Sequence, residues 1–330
     1  MSSDTFRAVV ARKTGNGQTC ALEILTEDDL PQADVTVDVD YSAFNYKDGL
    51  GLKGLNRILR TFPMVPGIDF AGTVRRSESP DFVPGDRVVL TGWGVGESWS
   101  GGFAERARVK SDWLVKLPKG LNSRQAMILG TAGFTAGLCV SALREYGIPA
   151  GGEILVTGAS GGVGSVAVRL LSRLGYRPFA LTGRPAEADY LKSLGAAGIV
   201  DRAGYAAPGK PLQTERWDGA VDSVGGAVLV NVLANLKSES AVAACGLAGS
   251  TDLPATVFPF ILRGVSLLGI NSVTQPRAVR EKTWAGIANT LRPEDLEAVS
   301  REVALDDVFT LADEILAGRV RGRTVVKIKA

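Results

Sequence analysis

The sequence predicts an α/β protein: a doubly wound parallel sheet joined to a second, β-rich and barrel-like domain. Three observations lead there. Between residues 153 and 272 short unbroken apolar runs alternate with amphipathic segments, the pattern of a parallel sheet covered on both faces. One of these runs, within residues 154–171, passes through a glycine-rich turn directly into a helical pattern. Residues 1–120, by contrast, hold short strand patterns punctuated by Gly and Pro.

Taken in order, VTVDVDYSAF (35–44) and GDRVVLTG (85–92) read as strands, and the glycines clustered at 49–54 and 92–102 read as loops. Near residue 123 the character changes. SRQAMILGTAGFTAGLCVSALREYG reads as a helix pair with a Gly-rich joint, closed by the turn IPAGG. Then follow the strand EILVTGA (153–159), a helix through SVAVRLLSRLG (165–175), the strand RPFALTG (177–183) and a helix through AEADYLKSLGA (186–196). GIVDR, DGAVDSVG, SAVAACGL and VSLLGINS continue the strand series, and six such strands complete a Rossmann-type dinucleotide-binding unit. After Ser272 the pattern reverts to helices and a closing strand, GRTVVKIKA, expected to return to the first domain. The expected division is therefore 1–124 with 273–330 for one domain, and 125–272 for the other.

Composition excludes several chemistries. The chain of 330 residues has no histidine and only Cys20, Cys139 and Cys245, with no CxxC pair. Catalytic zinc takes three protein ligands and structural zinc usually four, mostly Cys, so neither site is expected. Histidine acid/base or triad chemistry is absent outright. A formal charge of +2 argues against a general nucleic-acid or anionic-membrane surface. The start, MSSDTFRAVVARK, lacks a secretory apolar stretch, and no apolar run is expected to reach the roughly 20 residues of a membrane span. Sparse, odd cysteines suit a reducing compartment, so a cytoplasmic location is expected.

The sharpest motif is ILVTGASGGVGSVAVRLL, where a strand runs into Ala159-x-Gly161-x-x-Gly164 and then a helix. Ala159 stands where the usual fingerprint has its first glycine, and the turn remains feasible. Gly161 allows backbone to approach a pyrophosphate, Gly164 allows helix and strand to pack closely, and the helix start with Ser160, Gly162 and Val163 offers N–H groups to phosphate. The next strand ends in Thr182, Gly183 and Arg184 and carries no acid. A carboxylate there would hold ribose hydroxyls, whereas a hydroxyl and a guanidinium suit a 2′-phosphate. NADPH is thus the expected cofactor.

Together these segments resemble the medium-chain dehydrogenase/reductase superfamily, in its zinc-free quinone oxidoreductase-like branch and, within it, the acrylyl-CoA reductase group. The stretches that carry the resemblance include SAFNYKDGL (42–50), FPMVPGIDFAGTV (62–74), GDRVVLTGWGVGE (85–97), GTAGFTA (130–136), TGASGGVGS (157–165), AACGLAG (243–249), PFILRGVSLLGINSV (259–273) and GRTVVKI (322–328), in family order. The resemblance implies a GroES-like β-barrel catalytic domain beside the Rossmann unit. It also implies loss of the catalytic metal: zinc-dependent relatives carry Cys where this chain has Asn45, and Gly-His-Glu where it has Gly67-Ile68-Asp69. One departure stands out. The group commonly reads N-H-W-G-G after GWGVGE, and this chain reads Ser98-Trp99-Ser100-Gly101-Gly102; the group's histidine is read as shaping a pocket wall, so its absence is not expected to abolish activity.

The implied activity is NADPH-dependent reduction of the C=C bond of an α,β-unsaturated acyl-CoA, acrylyl-CoA to propionyl-CoA, with NADPH:quinone reduction as the nearest rival. A cofactor-binding protein without turnover is a third reading. Asn45 and Tyr46 are the candidate catalytic residues, as donors to a developing enolate; Tyr46 could donate a proton or stack on the nicotinamide. Lys47 and Asp48 are expected to be structural or solvated. Thr131 and Thr135 could line the nicotinamide pocket or pack their helix. Leu247, Asn271 and Ser272 fall at or after the ends of the fifth and sixth strands, where a dinucleotide crosses a sheet. Asn271 could hold the carboxamide, and Arg323 could reach a phosphate or lie on the surface. Cys245 reads as a small packing residue. In the family, the PFILRGVSLLGI segment pairs across a two-fold axis, so a homodimer is expected.

Overall fold

The computed structural model describes residues 4–329 and divides into two compact units. The first unit comprises residues up to Thr131 together with Ser272–Ala288 and Ser300 onward; the second comprises Ala132–Asn271 and Asn289–Val299. Both differences from the expected boundaries have local causes. Residues 125–131 stay with the first unit because the helix α2 (Ser123–Tyr146) is broken at Gly130, which has φ 50 and ψ −153. Residues 289–299 belong to the second because Asp295, 1% exposed, is gripped by Arg169 and Arg173.

In the first unit a seven-stranded sheet is organised around Val35–Phe44. Asp69–Ser77 runs antiparallel along one side of it; on the other, Val35–Asp38 pairs with Arg106–Val109 and Tyr41–Phe44 with Thr324–Lys327. The closing strand Arg323–Lys327 therefore does complete the first unit. Apolar side chains at Val35, Val37 and Val39 meet Phe70, Leu90, Val109 and Leu114 in one core, with Phe44 stacked on Phe103 at 5.9 Å. Val35–Phe44 ends at Asn45, and the chain turns at once into α1 (Tyr46–Leu52), capped by Asn45 and Asp48.

The second unit is a six-stranded parallel sheet: β1 (Glu153–Thr157), β2 (Arg177–Thr182), β3 (Gly198–Asp201), β4 (Trp217–Asp222), β5 (Leu236–Ala244) and β6 (Ser266–Gly269), in the spatial order β3-β2-β1-β4-β5-β6. That order reverses direction between β1 and β4, where doubly wound sheets bind their ligands. Helix α3 (Gly162–Arg173) follows β1 and buries Val166, Ala167, Val168, Leu170 and Leu171. Interior positions such as Leu155, Leu181, Ala220 and Val242 read as continuous apolar runs because both faces of the sheet are covered.

One expectation on apolar runs is corrected. α2 is long and apolar enough to cross a membrane by length and composition, yet 83% of its most apolar window is buried inside the protein. With the break at Gly130, it is a core helix.

Candidate active site

The turn after β1 is a cradle for an anion, and its glycines divide the labour differently from the sequence expectation. The left-handed residue is Gly158, φ 56, rather than Ala159. A Cβ at 158 would also stand 2.5 Å from Ser223 Oγ. Gly164 does what was expected of it: a Cβ there would lie 2.4 Å from the Gly158 carbonyl oxygen and 2.6 Å from Ala159 Cα, so helix and strand could not close. At Gly161, the residue preceding α3, a Cβ would meet only the Gly158 carbonyl at 3.2 Å, and the space beyond is open. No side chain caps α3. Its first N–H groups, at Gly162, Val163 and Gly164, therefore present an unscreened positive helix end to whatever occupies that space.

Beside this turn, Thr182 and Arg184 come together with Ser160 as the sequence suggested. The Arg184 guanidinium bonds Ser160 Oγ at 2.6 Å and its backbone N–H bonds Thr182 Oγ1 at 3.0 Å. A further residue was missed. The guanidinium of Arg202, just past β3, lies against Gly183, 2.7 Å from where a Cβ would stand. Gly183 is thus the seat for a second arginine. The readable signal was a lone arginine immediately after a parallel strand, at the carboxyl end where ligands collect. Two guanidiniums and two hydroxyls gathered at this strand end suit a phosphate monoester, so these residues fit the 2′-phosphate of NADPH.

Of the remaining second-unit candidates, two follow strands and one lies within a helix. Leu247, 61% exposed, follows β5, and Asn271 follows β6; Thr135 is buried in α2. Cys245 also follows β5, its thiol donating to the Asp222 carbonyl at 3.3 Å, in keeping with a packing role. Ser272 opens the returning segment of the first unit, where its carbonyl accepts from the buried guanidinium of Arg280.

In the first unit a buried polar cluster takes the place of a metal. The Asn45 amide nitrogen lies 3.0 Å from both Asp48 Oδ2 and Asp69 Oδ2, and its Oδ1 accepts from Arg323 Nη1 at 3.1 Å. Asp48 also accepts from the backbone N–H groups of Asn45 and Ile68, and Asp69 from those of Ala43 and Thr131. Burial, followed by the charge of Asp69, pushes the Asp48 carboxyl up to about 7. Gly130 makes the assembly possible: a Cβ there would stand 2.6 Å from Arg323 Nη2 and 2.8 Å from Asp69 Oδ2.

Two expectations change as a result, for Asn45 and Arg323, and the expectation that Lys47 and Asp48 are structural or solvated is met. Asn45 spends its amide on the cluster and has no donor left for an enolate. Arg323 is 2% exposed and bonds the Ile128 carbonyl and Asn45, so it is neither a surface residue nor a reach to a phosphate. Asp48 is structural and buried, whereas Lys47 pairs with Glu97 at 3.0 Å. Tyr46 alone stands clear, 47% exposed in the first turn of α1. Trp99 packs edge-on against Trp113 at 5.1 Å and donates its indole N–H to the Arg108 carbonyl at 2.8 Å, half-buried against the first-unit core.

Comparison with known proteins places these features in a lineage. Residues 31–119 match the alcohol dehydrogenase GroES-like domain, and residues 162–289 match the zinc-binding dehydrogenase family. The acrylyl-CoA reductase AcuI of Ruegeria pomeroyi is 53% identical over 329 residues, covering 98% of this chain and 100% of the relative. The chain belongs to the medium-chain dehydrogenase/reductase superfamily, in its acrylyl-CoA reductase group. Among solved members, the yhdH oxidoreductase of Salmonella enterica in complex with NADP superposes with a TM-score of 0.96 at 52% identity, covering 98% of this chain and 100% of that one. The Bacillus subtilis protein yhfP with NAD bound does so at 0.95 and 44%, with the same coverage. Solved members of the superfamily thus hold either nucleotide.

The zinc in the name of the second matching family does not suit this chain. Where a metal would need ligands there is an amide, an isoleucine at 68, and two carboxylates already accepting N–H donors beside a guanidinium.

Proposed function

We propose that this protein reduces the C=C bond of an α,β-unsaturated acyl-CoA with NADPH, converting acrylyl-CoA to propionyl-CoA. The observation that carries the reading is the pairing of a phosphate-monoester pocket at Ser160, Thr182, Arg184 and Arg202 with a catalytic unit whose metal position is filled by Asn45, Asp69 and Arg323. The near-complete match to a relative named acrylyl-CoA reductase supports the substrate.

When bound, NADPH supplies a hydride for the β-carbon, and a solvent-derived proton completes the α-carbon. The chain's own residues bind and orient. The α3 N-terminus and its glycines would hold the pyrophosphate, and the two arginines would hold the 2′-phosphate. The amide of Asn45, fixed on both sides, sets the start of α1 and with it the position of Tyr46. The Tyr46 hydroxyl is the side-chain donor open to a substrate at that start, so it is the candidate to stabilise the enolate oxygen or pass on the proton. With no Lewis acid suited to these side chains, an alcohol or aldehyde oxygen lacks the polarisation that dehydrogenation would need.

The second unit supports assembly as a homodimer. β6 is the edge of the parallel sheet, and Val257, Ile261 and Leu262 beside it are 61%, 68% and 61% exposed. An open edge with an apolar patch favours pairing with a second copy. Leu262→Asp is expected to yield monomers by light scattering, and a wild-type monomer would refute the assembly.

The activity is tested by following NADPH oxidation with acrylyl-CoA, crotonyl-CoA and a benzoquinone as separate substrates. A kcat/KM of roughly 10⁴ M⁻¹s⁻¹ or more for acrylyl-CoA, well above the quinone value, is expected. A quinone preference would keep the fold and cofactor but overturn the substrate.

A further inference from the structure

We propose that the loop Lys53–Arg60, which follows α1, is the platform for the phosphorylated adenosine end of coenzyme A, with Arg57 and Arg60 taking its phosphates. This rests on the thioester reading above and deepens it.

The loop is held at both ends and strained in the middle. The Leu55 N–H bonds the Leu50 carbonyl at 2.9 Å, and Gln18 Nε2 bonds the Gly51 carbonyl at 2.7 Å. At the far end Leu59, 7% exposed, packs with Ala11 and Met64, and the Arg60 N–H bonds the Glu97 carbonyl at 2.8 Å. Between these anchors Asn56 and Arg57 both adopt left-handed backbone, with φ 54 and φ 48. Two successive non-glycine residues in that region are unfavourable, and such strain persists where surrounding structure imposes it, often at ligand clamps.

The strain presents charge. Arg57 is exposed and makes no ion pair among the described residues. The Arg60 side chain is 67% exposed and lies 3.8 Å from Glu97, whose carboxylate sits closer, at 3.0 Å, to Lys47. Several other exposed arginines of this unit are paired: Arg7 with Asp306, Arg12 with Glu23, Arg301 with Glu314. Leu55, 46% exposed, adds an apolar step to the same loop. A fixed loop with two open guanidinium forks and one apolar contact suits clustered phosphates attached to a partly apolar arm.

Position selects the ligand. The loop is joined to Tyr46 by α1, seven residues or roughly 10 Å long. A ligand that reacts beside Tyr46 and is held here must carry its phosphates at the end of an extended arm. A coenzyme A thioester does; a quinone does not.

The test is calorimetric titration of coenzyme A, and separately of adenosine 3′,5′-bisphosphate, into the intact protein saturated with NADP+, which removes the nucleotide site as the phosphate sink. Arg57→Ala/Arg60→Ala should weaken both ligands about tenfold, with a shallower salt dependence than wild type. Lys329→Ala, in the separate basic groove of Arg87, Lys327 and Lys329, should change them less than about twofold. The ratio of kcat/KM for acrylyl-CoA over acrylyl-pantetheine, which lacks the adenosine phosphates, should fall about tenfold in the double variant. Arg57→Gln/Arg60→Gln, which keeps side-chain length, should reproduce the loss. Unchanged affinities in both double variants, or a loss in Lys329→Ala instead, would overturn the platform while leaving acrylyl-CoA turnover intact. A wild-type protein that neither binds coenzyme A nor reduces acrylyl-CoA would remove the thioester reading and the platform together.

Discussion

The turn from Gly158 to Gly164 and the cluster of Asn45, Asp48, Asp69 and Arg323 are both polar devices set into apolar surroundings. They are built in opposite ways. The turn is local: seven consecutive residues supply the left-handed step, the close helix–strand contact and the open N-terminus. The cluster is gathered from distant parts of the chain, the cap and first turn of α1, the start of the strand Asp69–Ser77 and the closing strand, and it closes only because Gly130 leaves room. The first leaves its N–H groups open for a ligand. The second pairs its buried polar groups with one another.

That contrast predicts different costs for the same substitution. Gly130→Ala drives a Cβ into Arg323 and Asp69 at a left-handed residue, and Gly164→Ala drives one into backbone. Each should lower unfolding stability by about 2–4 kcal/mol, read from urea midpoints. Gly161→Ala, where a Cβ meets a single atom at 3.2 Å, should cost less than about 1 kcal/mol yet sharply weaken NADPH binding. Equal stability losses at 130 and 161 would dissolve the distinction between a structural and a ligand cradle.

The next effect concerns nucleotide choice. Arg184→Ala and Arg202→Ala should each lower kcat/KM for NADPH about 10- to 100-fold, the worth of a charge-assisted bond, and barely alter the NADH value. If Arg202→Ala leaves NADPH kinetics untouched, the second guanidinium is not part of the pocket.

The same contrast explains what was legible. Alternating apolar runs and the β1 turn announced the parallel sheet and the phosphate cradle, because period and glycine spacing are local properties. The Gly-rich joint at 130 was legible for the same reason. Asp48 was readable only as a residue near the former metal loop, since nothing in Asn45-Tyr46-Lys47-Asp48 says that Asp69 and Arg323 will arrive beside it. For Arg323 the error ran deeper: a charged residue opening a terminal strand gives no sign that the strand is roofed by α2. The left-handed step fell one residue before its expected place because Ala159 and Gly158 are adjacent, and spacing alone does not choose between them.

The smallest expected effect is electrostatic. Asp48, normally near 3.8, is raised to about 7 in the fold, so its contribution is fully present at low pH and is lost as pH rises between those values. Wild-type stability should decline over that window by up to a few kcal/mol, because each tenfold change in proton affinity is worth about 1.4 kcal/mol. Asp48→Asn, though less stable at acidic pH because its amide faces N–H donors, should show a flatter profile there. A variant with the wild-type slope would assign the titration to another group.

The most direct measurement of the central claim is isotopic. Acrylyl-CoA is reduced with NADPH deuterated at the transferring position, and the product is analysed by NMR. The account predicts deuterium at carbon 3 of the propionyl group and a solvent hydrogen at carbon 2. Deuterium on the former carbonyl carbon would mean that the oxygen is being polarised after all, and would contradict a catalytic unit in which an amide, two carboxylates and a guanidinium have replaced the metal.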